Sequence, residues 1–158
     1  MATITPSHTA LCVSNLERSL RFYTEGLGYE VQERFETGDE VAGLCEIEMP
    51  TPITMCAQFL AKDGVRLELV HWPEPGVHGT PSRTRNQLGL THLSYEVTDL
   101  PSVEARLVSL GATVIEGTRT HVDRPTYQVD MVFLADPDGT RIELVEHHAA
   151  EGGDASGS

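Results

Sequence analysis

K-D-G-V-R-L-E-L-V-H-W at residues 62–72 and P-D-G-T-R-I-E-L-V-E-H at 137–147 share the frame D-G-x-R-[LI]-E-L-V. Each reads as a turn on Asp-Gly followed by a strand with period-two alternation. Leu67 and Leu69, or Ile142 and Leu144, take one face, and Arg66 with Glu68, or Arg141 with Glu143, take the other. A second pair lies upstream in the same order. H-T-A-L-C-V-S-N-L from His8 and H-L-S-Y-E-V-T-D-L from His92 are 84 positions apart, and Val13/Val97 and Leu16/Leu100 keep that offset. Both ends of one unit therefore occur twice, the mark of an internally duplicated fold.

Between those ends the two copies predict the same elements. Residues 7–13 and 91–97 alternate as strands, with His8 or His92 on the face opposite the apolar residues. Ser14 with Glu17 suits a capping box, and Leu16, Leu20, Tyr23 and Leu27 form a helical stripe ending at Gly28. In the second copy Pro101 fits a first helical turn, and Leu100, Val103, Leu107 and Leu110 form the stripe that ends at Gly111. Strands near 29–35 and 112–116 come next. Residues 53–60 and 65–71 then flank Asp63-Gly64, as 127–135 and 140–146 flank Asp138-Gly139. The expectation is an α+β fold of two tandem βαβββ modules forming a curved mixed sheet, helices on the outer face. Residues 1–72 are the first module, 73–90 a Pro- and Gly-rich linker, 91–148 the second module and 149–158 a small, polar, disordered tail.

The bulk properties narrow the function class. The chain of 158 residues has 24 acidic and 11 basic side chains, a net charge of −13, and no basic run. Nucleic acid and anionic membrane surfaces are poor partners for such a chain, because phosphate binding needs clustered Lys and Arg. A small molecule suits it better. No stretch approaches the roughly 18 apolar residues of a membrane span, and the N-terminal M-A-T-I-T-P-S-H has neither basic nor apolar signal regions. The expected location is the cytoplasm. Cys12, Cys45 and Cys56 have no framework spacing and are expected to be reduced, buried thiols.

The alternation places His8, Glu68, His92 and Glu143 on the non-helix face of their strands. A curved sheet of two modules would gather two imidazoles and two carboxylates on its concave side. That N/O set suits Ni, Co, Mn, Fe or Zn as divalent ions, and six-coordination leaves two positions open. A strand histidine or glutamate alone says little; repetition at equivalent positions gives these four their weight. Arg66 and Arg141 share the face of the glutamates and suit substrate orientation or a salt bridge. Arg119, in the 117–126 loop, suits an acidic substrate group, and Trp72 suits a pocket wall or an apolar plug.

The segments H-T-A-L-C-V-S-N-L-E-R-S-L-R-F-Y-T-E-G-L-G-Y-E-V at 8–31, L-G-L-T-H-L-S-Y-E-V at 88–97 and D-P-D-G-T-R-I-E-L-V-E at 136–146 resemble the vicinal oxygen chelate superfamily. That superfamily includes glyoxalase I, methylmalonyl-CoA epimerase, extradiol dioxygenases and bleomycin- or fosfomycin-resistance proteins, and the resemblance covers residues 4–148. It implies paired βαβββ modules around one divalent metal, with His8, Glu68, His92 and Glu143 as ligands. The complete set is similar to the proton-moving branches. The implied activity is an isomerase, epimerase or lyase that abstracts a proton next to a carbonyl through a metal-stabilised enolate, with methylmalonyl-CoA epimerase-like chemistry favoured narrowly. Alternatives are a glyoxalase I-like lactoylthiol lyase, an extradiol-type dioxygenase and a non-catalytic drug-binding protein. Glu143 is the implied base, and Glu46, in a run that looks like the epimerase's second-base segment, is the implied second base. The substrate is expected to be a small carbonyl compound or thioester, and the assembly a homodimer.

Overall fold

The computed structural model describes residues 2–38 and 52–148. Glu46, Cys45 and the 149–158 tail lie outside the described residues. The chain divides into two compact units, Met1–Thr80 and Pro81–Ser158, so the division falls inside the expected linker. The fold is α+β, with a mixed sheet and one short helix in each unit.

In the first unit β1 (Thr9–Cys12) leads into helix α1 (Leu16–Arg21), and β2 (Glu30–Thr37), β3 (Thr54–Lys62) and β4 (Val65–Glu74) follow. The sheet order is β1-β4-β3-β2, with β1 parallel to β4 and the other pairs antiparallel. Leu11, Val13, Leu67 and Leu69 are buried beneath α1, which packs on β4. Each such leucine contributes roughly 1.5–3 kcal/mol by leaving water. Asp63 and Gly64 close the β3–β4 hairpin with φ of 48° and 81°, the positive pair that matches a two-residue turn to the twist of its strands.

The second unit repeats this plan with β5 (Leu93–Glu96), α2 (Leu100–Ser109), β6 (Thr113–Val114), β7 (Thr120–Arg124), β8 (Tyr127–Ala135) and β9 (Arg141–His148). Strand β5 runs parallel to β9, β8 is antiparallel to β9, and both β6 and β7 pair with β8. Leu107, Ile142 and Leu144 are fully buried where α2 meets β9. The turn here spans 136–140: the buried Asp136 carboxylate accepts from the backbone N–H of Asp138 and Thr140 at 2.9 and 2.8 Å.

Three expectations need correction. Asn15, not Ser14, caps α1, its side chain accepting from Arg18 N–H at 2.9 Å; the Ser14 hydroxyl instead accepts from the Arg18 guanidinium. The strand expected at 112–116 is only Thr113–Val114, and β7 adds a strand, because the segment along β8 is broken between two stretches of pairing. Cys12 is exposed and Cys56 half-buried, since Cys12 alternates with buried Leu11 and Val13. Moreover, α1 passes into a π-helical turn at Phe22–Gly26, which α2 lacks. Phe22 and the adjacent Tyr23 are both completely buried there.

Candidate metal centre

The ladder of each unit fixes one histidine beside one glutamate. In the first, Ala10 stands opposite Glu68 across the parallel β1/β4 pair, and His8, two residues earlier, falls on the same face. Its Nε2 lies 3.1 Å from Glu68 Oε2. In the second, Ser94 stands opposite Glu143, and His92 Nε2 lies 3.4 Å from Glu143 Oε2. The glutamates lie between fully buried leucine or isoleucine neighbours of β4 and β9, so alternation turns both carboxylates away from the helix. The side chains remain 32 and 16 % exposed in the first pair and 29 and 17 % in the second, enough for a small ligand to reach them.

The surroundings of the pairs are also duplicated. Phe59 lies perpendicular to the His8 ring at 5.1 Å between centroids, and Phe133 lies perpendicular to His92 at 5.2 Å. Ser7 Oγ is 3.0 Å from His8 Nδ1, and Thr91 Oγ1 is 2.9 Å from His92 Nδ1. A guanidinium covers each phenylalanine: Arg66 at 4.8 Å from the Phe59 ring centre and Arg85 at 4.9 Å from that of Phe133. Side chains stitch the phenylalanine strands to their irregular edges. The buried Gln58 amide donates to the carbonyls of Gln32 and Glu33 at the β2 bulge, and Thr118 Oγ1 donates to Ile115 O while accepting from Phe133 N–H.

Two donors bound at about 2.1 Å on adjacent vertices are separated by about 3.0 Å in an octahedron and about 3.4 Å in a tetrahedron. The separations of 3.1 and 3.4 Å, also those of a direct imidazole-to-carboxylate contact, are compatible with this range, and the N/O chemistry suits a divalent ion of intermediate hardness. The pairs fit metal ligation. A hydroxyl against Nδ1 can accept its N–H, leaving the Nε2 lone pair for the metal. Among the described residues no group of three or more His, Cys, Asp or Glu is gathered for a metal; what each unit holds is a pair.

The remaining candidates fall in different places. Arg66 donates to Glu33, the salt bridge expected as its alternative role; Arg141 donates to the Arg83 carbonyl, and its other terminal nitrogen is buried with no hydrogen-bond partner among the described residues. Arg119 donates to both Glu104 oxygens on α2, at 2.8 and 2.6 Å, and is thus committed to the helix. Trp72 is half-buried near the end of β4. His71 Nδ1 contacts the Val13 carbonyl at 3.0 Å, a structural role. His121 and His148 each approach a different oxygen of Asp130, both at 2.8 Å. Hydrogen bonding from His121 first, and from His148 second, holds the Asp130 carboxyl below its ordinary value, with burial opposing.

Ser7, Thr91, Ser94, Phe59 and Phe133 were not singled out from sequence. The signal for the first two was present: a hydroxyl residue immediately precedes each candidate histidine.

Comparison with known proteins gives a consistent picture. The glyoxalase family description, Glyoxalase/Bleomycin resistance protein/Dioxygenase superfamily, matches residues 5–144. The chain is 25 % identical over 138 residues to the Arabidopsis thaliana protein Glyoxylase I 4, covering 87 % of this chain and 68 % of that one. It is 26 % identical over 155 residues to Lactoylglutathione lyase of Schizosaccharomyces pombe, covering 92 % of this chain but only 48 % of the yeast protein. Among solved structures, a glyoxalase family protein from Bacillus cereus superposes with a TM-score of 0.73 at 18 % identity, covering 93 % of this chain and 96 % of that one. A fosfomycin resistance protein from Listeria monocytogenes, solved with Mn(II) and sulfate, gives 0.58 at 15 % identity, with 92 and 93 % covered. At those identities the likeness is one of fold.

Proposed function

Because this chain belongs to the glyoxalase/bleomycin resistance protein/dioxygenase superfamily, we propose that it is a divalent-metal-dependent enzyme of the glyoxalase I type, moving a proton at the carbon next to a carbonyl. The observation that carries the proposal is the duplicated His-Glu pair, each with its donors at ligand-to-ligand separation. Each pair, His8 with Glu68 and His92 with Glu143, supplies two N/O donors of the kind that divalent Ni, Co, Mn, Fe or Zn takes.

When bound, such a cation supplies Lewis acidity toward a carbonyl or enolate oxygen. The chain's own residues do the rest. Ser7 and Thr91 hold the imidazoles, and Phe59 and Phe133 wall the rings. A carboxylate takes the substrate proton and returns it to the neighbouring carbon; Glu143 is assigned this role. General-base catalysis of this kind is worth about 10²–10⁴-fold in rate. Arg66, bonded to Glu33, and Arg141, bonded to the Arg83 carbonyl, share the strand faces of the glutamates and brace the surroundings of the pairs.

The glyoxalase I-type lyase takes precedence over the epimerase favoured from sequence. The two curated relatives bear glyoxalase and lyase names, and neither name is an epimerase's. The substrate class is accordingly a hemithioacetal of a small thiol and a 2-oxoaldehyde. The test is isomerisation of such hemithioacetals in the presence and absence of chelator, alongside metal titration of the apoprotein. Stoichiometric metal binding and chelator-sensitive turnover are expected. Turnover indifferent to chelator, or oxygen uptake with a catechol in its place, would overturn the reading.

A further inference from the structure

The two pairs match in histidine, glutamate, phenylalanine and a supporting hydroxyl, and they differ in the residue that stands opposite the glutamate. Ser94 Oγ donates to Glu143 Oε2 at 2.7 Å. The residue in the same register opposite Glu68 is Ala10, whose methyl has nothing to donate. The geometry of the pairs carries the same asymmetry. Glu143 Oε2, engaged by serine, stands 3.4 Å from its histidine, whereas Glu68 Oε2 stands 3.1 Å from its own.

We propose that Ser94 is a positioning residue that makes the two carboxylates inequivalent: it fixes the plane of Glu143 against β5, while Glu68 is oriented through His8. A short hydroxyl-to-carboxylate bond is charge-assisted and stronger than a neutral one. Hydrogen bonds to a ligating carboxylate also set how well it binds metal. Ser94 reaches Glu143 because the parallel register of β5 and β9 pairs the two residues directly. This rests on the metal-ligand reading of Glu143 and extends it to a residue that touches no metal.

The experiment compares the parent chain with Ser94→Ala, Ser94→Thr and Ala10→Ser. Co(II) affinity is read by calorimetry, the visible spectrum of the Co(II) form by absorption, and the metal-free melting temperature by thermal unfolding. Ser94→Ala is expected to weaken Co(II) binding by about 10–100-fold and to shift the Co(II) bands, with the apoprotein melting as the parent does. Ser94→Thr, which keeps the hydroxyl, restores both. Ala10→Ser, which gives Glu68 the same donor, shifts the bands without loss of affinity. Parent-like affinity and spectrum in Ser94→Ala overturn the role of Ser94 alone. A parent chain that binds no Co(II) overturns the metal reading itself, and the role of Ser94 with it.

Discussion

Thr91 Oγ1 lies 2.9 Å from Nδ1 of His92, and Ser7 repeats the contact on His8 at 3.0 Å. A hydroxyl is both donor and acceptor, so it can serve either tautomer of the ring: donating to Nδ1 when Nε2 carries the proton, and accepting from Nδ1 when Nε2 binds metal. Thr91→Val keeps the shape and removes this adaptability. It should weaken divalent metal binding by about tenfold, Thr91→Ser should retain it, and Ser7→Ala should repeat the loss. Calorimetric titration with Zn(II) or Ni(II) checks the set. Equal affinity for parent and Thr91→Val would contradict it.

The contact of Asp130 with His121 and His148 predicts an acid limb of stability. Its carboxyl ionises below the ordinary value of 3.8, chiefly because His121 hydrogen-bonds to it. A depressed folded-state pKa contributes stability that is present above the unfolded value and is lost as pH falls through the folded one. The parent should therefore lose stability below about pH 4 more steeply than Asp130→Asn. Urea midpoints measured across that range give the comparison.

Gly64→Ala should destabilise the first unit by roughly 1–2 kcal/mol. A Cβ at Gly64 would meet nothing within 4 Å, so the cost is conformational, set by φ of 81°. Asp63→Asn, a residue that tolerates φ of 48°, should be close to neutral. Denaturant unfolding separates the two.

Arg119 is held by Glu104 on α2, away from the duties first considered for it. Arg119→Ala should cost less than about 1 kcal/mol of stability, since the arginine is largely exposed. It should leave the KM for a hemithioacetal unchanged. A several-fold rise in KM would return Arg119 to the substrate site.

The ends of the repeat were the most legible part of the chain. Alternation around Glu68 and Glu143 assigned their face correctly because both strands are buried on one side only, which makes period two unambiguous. The hairpin at Asp63-Gly64 was equally plain, since that turn demands the residues present. The cap of α1 was misassigned by one residue because Ser14 and Asn15 are both good caps and only the chain's entry angle chooses between them. Strand β7 was hidden because Thr120–Arg124 has little apolar alternation; it forms by pairing with β8. Ser94 was invisible as a functional residue because its meaning depends on register across two strands, which no local pattern encodes.

The π-helical turn at Phe22–Gly26 leaves a trace in the arithmetic of the duplication. Leu16 and Leu100 open their helices 84 positions apart, yet the closing glycines, Gly28 and Gly111, are 83 apart. One copy carries a residue the other lacks, and the wider turn is where the surplus is stored. The offset changes again beyond the helix, for Glu68 and Glu143 are 75 positions apart. The two halves differ in length within the helix and again between helix and last strand, yet each glutamate keeps its place beside its histidine.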